Sequence, residues 1–179
     1  MTGHSLDLGP EAGVNALLGH LRQLDLPPAP VTPGSPILPG MFFVTDPESG
    51  TSITLESRPG LLFAADFQVT GQARWLALHI ALDGFDLDGR MILGLCARSA
   101  APQSTTFRPC LRNGRDSGFD DIFFRKTAVA YAEPSLHMDA LLIEDQPLLA
   151  APAPWRELVL FFRPETGRIE LQDLRLFVV

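Results

Sequence analysis

The sequence predicts an all-β protein: an antiparallel β-sandwich that follows a short N-terminal helix and a proline-rich connecting segment. Three observations lead to this fold class. Roughly ten short segments after Met41 place apolar residues at every second position, which is the period of a strand. Turn-forming residues separate these segments. No segment after residue 40 has the length and period of a helix, which argues against a parallel α/β fold.

The N-terminal element is predicted to be a helix over residues 10–24. Pro10 suits a first helical turn, where its missing N–H is not needed. A helix this short is marginal alone, so its apolar stripe has to be buried. The stripe either packs on the chain's own domain or docks on a partner or a second copy, and the sequence leaves both open. It consists of Val14, Leu17, Leu18, Leu21 and Leu24.

A proline-rich segment follows, with six prolines between residues 27 and 39. Prolines this dense exclude a helix or a central strand and favour an extended polyproline conformation. The segment is either a spacer or a strap across the domain. We therefore predict two units, the helix and strap over residues 1–40 and the β-sandwich over residues 41–179.

The first eight predicted strands lie between Met41 and Glu144. Two of them, residues 61–70 and 74–83, alternate apolar and other residues over their whole length. We expect these alternating apolar sets to form the core. The eight segments read MFFVTD, TSITLES, LLFAADFQVT, RWLALHIALD, MILGLCARS, TTFRPCLR, FDDIFFRK and LHMDALLIE.

Two further strands close the chain and are joined by turn residues, among them Pro164 and Gly167. Both faces of each strand carry apolar residues. We therefore expect a hairpin or meander whose final strand lies inside a sheet, which would tie down the end of the chain. The alternating apolar residues are Leu158, Leu160 and Phe162, then Ile169 and Leu171 in the last strand, where the pattern resumes after Asp173 with Leu174, Leu176 and Val178.

The composition limits the classes of function. The chain has 179 residues, enough for one good-sized domain, and its net charge of −7 argues against general binding to nucleic acid. No apolar run approaches the roughly 20 residues that span a bilayer, so we expect no membrane association. The first residues lack the basic start and apolar core of a signal peptide. The expected location is the cytoplasm.

Two cysteines, Cys96 and Cys110, are too few for a disulfide scaffold. They flank a loop centred near Gln103, so they would lie opposite each other if their strands formed a simple hairpin. The alternative is a pair of buried thiols in a reducing compartment.

Residues that could carry catalysis or bind a metal do not converge. The sequence has no H-x-H or H-E-x-x-H motif, no G-x-S-x-G elbow and no P-loop. Asp83, Asp86 and Asp88 lie in one turn, which either binds Ca²⁺ or is simply solvated, and their spacing is not that of an EF-hand. We predict no catalytic residue, no metal site and no cofactor. The scattered histidines are His4, His20, His79 and His137.

The last strands carry a resemblance to a known family. The segment from Trp155 to Phe177 contains Ile169, Asp173 and Leu176 in the order I-x-x-x-D-x-x-L, and it resembles the closing strand of jelly-roll domains of the galactose-binding-like and carbohydrate-binding-module type. The resemblance covers residues 41–179. It implies a jelly roll of eight or more strands that binds sugars through its loops or a concave sheet face. It assigns no particular binding residue.

Strand alternation also predicts a candidate site. If the apolar faces form the core, the opposite faces collect one aromatic and several hydrogen-bonding side chains, which are the groups that bind sugars. The alternative is an ordinary solvated sheet face, or a face that the N-terminal helix covers. The residues of this predicted face are Asp66, Gln68, Trp75, His79, Arg108, Arg112, His137 and Asp139.

Basic residues are concentrated between residues 108 and 126, where acids alternate with them. This stretch is either a cluster of ion pairs or a site for an anionic sugar, since arginine binds anions in a bidentate geometry. Asp120 and Asp121 are neighbours on a predicted strand and point to opposite faces, so they do not form an acid/base pair. The residues are Arg108, Arg112, Arg115, Arg125 and Lys126, with Asp116, Asp120 and Asp121.

The sequence therefore favours a non-catalytic module that binds a carbohydrate or glycoconjugate. The alternative is a protein-interaction or assembly module, a homodimer included, that uses the N-terminal helix and the polar sheet face. An enzyme of unrecognised type has the least support. The predicted ligand-binding residues are Trp75, His79, Arg108, Arg112, Asp121, Arg125, His137 and Asp139.

Overall fold

The computed structural model describes residues 9–82, 85–150 and 152–179, and within them the chain folds into two antiparallel sheets. A ten-residue helix, α1 (Ala12–Leu21), precedes the strands, and a short helical turn, α2 (Pro147–Ala150), precedes the last two. The strands are β1 (Leu26–Val31), β2 (Pro36–Leu38), β3 (Met41–Thr45), β4 (Ser52–Arg58), β5 (Leu61–Gln68), β6 (Leu76–Ala81), β7 (Ile92–Ala100), β8 (Thr105–Arg115), β9 (Gly118–Phe123), β10 (Ala128–Ala130), β11 (Ser135–Leu142), β12 (Arg156–Phe162) and β13 (Gly167–Val178).

The two sheets are named by their strand order. Sheet A has six strands in the order β1-β4-β5-β13-β7-β11. Sheet B has seven, in the order β10-β8-β12-β6-β3-β2, with β9 also paired to β8. The predicted all-β antiparallel sandwich is confirmed. So is the central position of the last strand, because β13 lies between β5 and β7.

The predicted closing hairpin is wrong, and the simple hairpin that would have paired the two cysteines does not form, because the chain crosses between the sheets at both places. β12 belongs to sheet B and β13 to sheet A, so the two closing strands are not paired with each other. β7 and β8 are divided in the same way, which places Cys96 and Cys110 in different sheets, and both are free thiols. Alternation defines which side of a strand is apolar, but it does not define which strand lies beside it.

Aromatic rings fill the space between the sheets. Phe43 of sheet B packs edge-on against Phe63 and Phe67 of sheet A, with ring centroids 6.1 Å apart in both pairs. Phe162 contacts Phe67 at 5.5 Å and Phe107 at 6.0 Å. These contacts join the inner faces of the two sheets, as edge-to-face ring geometry favours.

The apolar stripe of α1 packs on the chain's own domain. Val14, Leu18 and Leu21 are buried in the main core, and the helix contacts β5 and β13 of sheet A. Asn15 is hydrogen-bonded to both backbone groups of Leu176, donating to its carbonyl oxygen (2.8 Å) and accepting from its N–H (3.0 Å). A protein partner bound through this helix stays a prediction, but the stripe that suggested it is covered.

The proline-rich segment forms the outermost strands, as its proline content requires. β1 pairs with β4 at one edge of sheet A, and β2 pairs with β3 at one edge of sheet B. The domain boundary at residue 40 stays a prediction, and so does the cytoplasmic location. No helix in the described part of the chain is long and apolar enough to cross a membrane.

Candidate functional site

The outer face of sheet B, turned away from the core, has small residues at its centre and large aromatic residues around them. We call it the aromatic face. Its centre is formed by Ala77, Cys110 and Val159, and Gly114 lies toward one end. Its large side chains are Phe42, His79, Phe119, Phe123, Trp155 and Phe161.

Strand register explains how residues so far apart in the chain meet on this face. Phe42 is paired with His79 across β3 and β6, and His79 with Val159 across β6 and β12. Val159 is paired with Cys110 of β8, which is paired with Phe123 of β9. Residues paired across strands point to the same side. This row therefore crosses five strands with an aromatic residue at each end.

Trp155 lies over Gly114 at one end of the face. A Cβ atom built on Gly114 would be 2.2 Å from Cε2 of the indole, so the ring occupies the space that a side chain would need. The N–H of Gly114 donates to the carbonyl oxygen of Trp155 at 2.9 Å. The absence of a side chain at residue 114 is what lets the indole lie flat on the sheet. Trp155 is 42% exposed, and Phe119, paired with Gly114 on β9, is 46% exposed.

Two arginines lie on aromatic rings of this face. The Arg112 guanidinium carbon is 3.7 Å from the ring centre of Phe119, and that of Arg108 is 4.1 Å from the ring centre of Phe123. Arg112 also makes a bidentate pair with Asp121, Nε to Oδ1 at 2.7 Å and Nη2 to Oδ2 at 2.8 Å. Such stacking and pairing fix the direction of the remaining donors before any ligand arrives.

His79 and Glu157 form the second polar pair. Nδ1 of His79 is 2.7 Å from Oε2 of Glu157, and Phe42 stacks on the imidazole with a centroid distance of 5.2 Å. Beneath the rings of Phe123 and Phe161, Cys110 is fully buried, and burial raises the pKa of its thiol. Cys110 is therefore an inert part of the floor rather than a nucleophile.

A cavity of about 520 Å³ adjoins the Trp155 end of the face. The segment after β6 and the segment before β12 form its two sides. It is lined by Leu82, Phe85, Asp86, Asp88, Pro152, Ala153, Pro154, Trp155 and Arg156.

At the opposite end of the face, the ion pair between Arg74 and Asp46 lies beside Trp75. Trp75 precedes β6, and the Arg74 guanidinium carbon lies 4.8 Å from the centre of its indole. Arg74 is held by the buried carboxylate of Asp46 through Nε (2.6 Å) and Nη2 (2.9 Å). These hydrogen bonds lower the pKa of Asp46 well below its usual range.

The structure brings together five of the eight predicted ligand-binding residues. Trp75, His79, Arg108, Arg112 and Asp121 lie on the outer side of sheet B, on β6, β8 and β9 or directly beside them. The helix does not cover them, since α1 packs on β5 and β13.

The prediction that His137 and Asp139 share this face is wrong. They lie on β11 of sheet A with their side chains turned toward the core, while Leu136 and Met138 are exposed. The alternation of β11 is inverted because Asp139 accepts hydrogen bonds from the N–H groups of Lys126 (2.6 Å) and Ala140 (2.8 Å). Those bonds compensate the burial of a carboxylate.

Three other predicted residues also lie elsewhere. Arg125 is beyond the end of β9 and pairs with Asp145 at 3.4 Å. Asp66 and Gln68 are on β5 of sheet A, where Asp66 pairs with Arg168. Within the basic stretch, Arg115 pairs with Asp120 at 2.9 Å.

Sequence reasoning missed most of the aromatic residues of the face. Trp155 and Phe161 share their strand parity with Glu157 and Val159, so alternation alone could have grouped them. The contribution of Phe42 and Phe119 depends on strand neighbours that the sequence does not reveal.

Potential metal ligands do not cluster in the described residues of this site. The part of the chain that the structure describes contains no group of three or more His, Cys, Asp or Glu side chains placed to hold a metal ion. Of the aspartates in the predicted calcium turn, Asp83 lies outside the described residues, as does His4. The N–H of Asp88 donates to Oδ1 of Asp86 at 3.0 Å.

Comparison with solved structures identifies the class of fold. A family 4 carbohydrate-binding module has a TM-score of 0.57 at 12% identity, covering 84% of this chain and 95% of its own. The family 11 module from Clostridium thermocellum, solved with a β-1,3-1,4-mixed-linked tetrasaccharide, has a TM-score of 0.54 at 7% identity, covering 86% and 97%. The CBM22-1 xylan-binding domain from Paenibacillus barcinonensis has a TM-score of 0.52 at 7% identity, covering 87% and 96%.

The fold is therefore the jelly-roll β-sandwich of carbohydrate-binding modules, as the resemblance of the closing strand predicted. At these identities the likeness shows the fold alone. No protein-family model matches the chain, and no curated protein matches it.

Proposed function

We propose that this protein is a non-catalytic module that binds a carbohydrate chain on the aromatic face. The observation that carries the proposal is that two large aromatic side chains, Trp155 (42% exposed) and Phe119 (46% exposed), lie beside the same glycine, Gly114, on the outer side of sheet B. Exposed aromatic side chains of this size on one side of a sheet are typical of binding sites. Sugars bind such surfaces by stacking their C–H faces on rings.

The polar groups of the face fit the same ligand. Arg108 stacks on Phe123, and no carboxylate pairs with it among the described residues, so its N–H groups are available to sugar hydroxyls. Glu157 and Asp121 supply acceptors whose positions are held by His79 and Arg112. Pre-positioned donors and acceptors reduce the entropy lost on binding.

Support also comes from the proteins that share the fold. The neighbours include a module solved with a mixed-linked tetrasaccharide and a xylan-binding domain. Mixed-linked β-1,3-1,4-glucan and xylan are therefore the first polysaccharides to test.

The test is affinity electrophoresis of the full chain in gels containing each polysaccharide, combined with a glycan array. We expect retardation of the wild type and roughly five-fold weaker binding for Phe119→Ala, since one stacking contact is worth about 1 kcal/mol. Tyr131→Ala is the matched control, because Tyr131 is 51% exposed and lies outside the aromatic face. Failure of the wild type to bind any glycan, or equal losses in the two variants, would refute the proposal.

A further inference from the structure

The aromatic face and the cavity beside it share one side chain. The Trp155 indole covers Gly114 on the sheet and also lines the cavity of about 520 Å³. A ligand lying along β12 from Phe161 to Trp155 covers about 20 Å, at about 3.3 Å per residue. It then reaches the cavity without leaving the surface. The two features are continuous parts of one site.

The walls of the cavity differ from the open sheet. Pro152 and Pro154 form part of its rim, and proline restricts the backbone of such a segment. Leu82 and Phe85 are buried at its apolar side. The segments after β6 and before β12 thus form a recess. The central part of the aromatic face has no such recess, because only strand side chains form it.

The polar groups of the cavity suit several hydroxyls at once. Asp86 and Asp88 are exposed and supply acceptor oxygens, with Asp86 oriented by the N–H of Asp88. Arg156 lines the cavity while being 4% exposed, and burial lowers the pKa of its guanidinium, an effect that the charge of Asp86 opposes. The volume lies within the 300–1,000 Å³ of typical ligand pockets.

We infer that this cavity is a subsite for the terminal residue of a neutral polysaccharide, so that the protein binds chain ends rather than the middle of a chain. The inference rests on the proposed function of the aromatic face. The terminal sugar of a chain has a free hydroxyl where an internal sugar has a glycosidic bond. A cavity with several acceptor oxygens can hydrogen-bond that extra hydroxyl and so distinguish a chain end from an internal sugar. An anionic terminal sugar is disfavoured because it would meet two carboxylates.

The opposite end of the face provides the contrast. Trp75 has its indole under the Arg74 guanidinium, which the Asp46 carboxylate holds in place. The two tryptophans therefore make a matched pair: one lines a cavity, and the other is covered by an ion pair.

The experiment measures how many protein molecules bind per polysaccharide chain. Length-fractionated mixed-linked β-1,3-1,4-glucan and xylan are titrated with the full chain in a calorimeter. If the subsite exists, the number bound per chain stays at one from the shortest bound fraction to the longest. If that number rises in proportion to length, the inference is overturned while the proposed function stands. If no fraction binds the wild type, the proposed function fails together with it.

Two variants sharpen the result. We expect Trp155→Ala to weaken binding about ten-fold, as for a central aromatic contact, and Trp75→Ala to change it by less than about two-fold. Equal effects of the two would contradict the inference. If Trp155→Ala does not fold, Asp88→Asn replaces it, because Asp88 is exposed and makes no ion pair in the described structure. We expect Asp88→Asn to weaken binding to short fractions with an unchanged unfolding midpoint, and unchanged affinity would count against the subsite.

Discussion

The outer faces of the two sheets differ, although the inner faces of both are apolar and form the core between them. On the outer side of sheet A, Leu62 and Ala64 of β5 are buried although they alternate with Phe63 and Ala65, which face the core. Beside them, Arg168 forms ion pairs with Glu56, Asp66 and Glu170. On sheet B, the outer side is the aromatic face, which α1 does not cover.

The difference shows that the character of an outer sheet face depends on which residues lie side by side on adjacent strands. Apolar residues alternate with other residues along strands of both sheets, so the pattern of a single strand does not distinguish the two outer faces. What distinguishes the aromatic face is that small residues of three strands, Ala77, Cys110 and Val159, lie side by side. Larger side chains of the same strands, such as His79 and Phe161, and of neighbouring strands surround them. Four changes test this comparison, from the largest effect to the smallest.

Removing a core side chain of α1 should have the largest effect on stability. Leu18→Ala deletes a buried side chain of α1 and should lower the free energy of unfolding by about 2–5 kcal/mol, measured by urea denaturation. His20→Ala, an exposed position on the same helix, is the control. Because α1 lies on sheet A, glycan affinity of the folded Leu18→Ala protein should equal that of the wild type. A stability loss no larger than that of His20→Ala would show that the apolar stripe of α1 does not contribute to the core.

Two glycines give a matched test of the two faces. A Cβ on Gly114 would lie 2.2 Å from the Trp155 indole, and one on Gly94 of sheet A would lie 1.9 Å from Cζ of Phe177. Gly114→Ala and Gly94→Ala should each cost about 1–3 kcal/mol through overpacking.

Only the first of these glycine variants should change tryptophan fluorescence and reduce glycan binding, because only Gly114 lies beneath a tryptophan of the aromatic face. The readouts are the emission spectrum and affinity electrophoresis. An equal loss of binding in Gly94→Ala would mean that the two faces are not independent.

The contribution of the Asp46–Arg74 ion pair to stability should depend on pH. Hydrogen bonds from Arg74 lower the pKa of Asp46 in the folded state, so its carboxylate stabilises the fold at neutral pH. That contribution is lost as the pH falls below the ordinary carboxyl value of about 3.9. The stability difference between the wild type and Asp46→Asn should therefore be largest at neutral pH and shrink toward about pH 3.

Thermal unfolding across this pH range measures the effect of Asp46. Glu48→Gln is the control, since Glu48 is exposed and its carboxylate is 3.5 Å from Arg74. A difference that stays constant with pH would contradict the assigned role of the Asp46 carboxylate.

The smallest effect is expected on the exposed side of β11. Leu136 is 72% exposed on sheet A, so Leu136→Ser should change stability by no more than about 0.5 kcal/mol. Leu141→Ser, on the same strand but facing the core, should be strongly destabilising. Similar losses in both, by thermal unfolding, would indicate that a second surface packs on β11 in solution.

Part of the site could be predicted from the chain and part could not. Alternation in β6 and β8 correctly grouped His79 with Arg108 and Arg112, because apolar partners on the other side of each strand leave one orientation. The same reasoning failed for β11, where backbone N–H groups compensate a buried Asp139. One donor is the next residue on β11 and the other, Lys126, precedes the strand by nine residues, and the alternation of apolar residues reports neither hydrogen bond.

By itself, the sequence determined that the chain is a β-sandwich, that its proline-rich segment is neither a helix nor a central strand, and which side of most strands is apolar. These properties follow from local sterics and from the two-residue period of a strand. Only the tertiary structure decided that β12 lies between β6 and β8, that Gly114 accepts the Trp155 indole, and that a cavity opens beside it. The physical reason is that strand neighbours are chosen by packing of the whole core, which sums contacts between segments far apart in the chain.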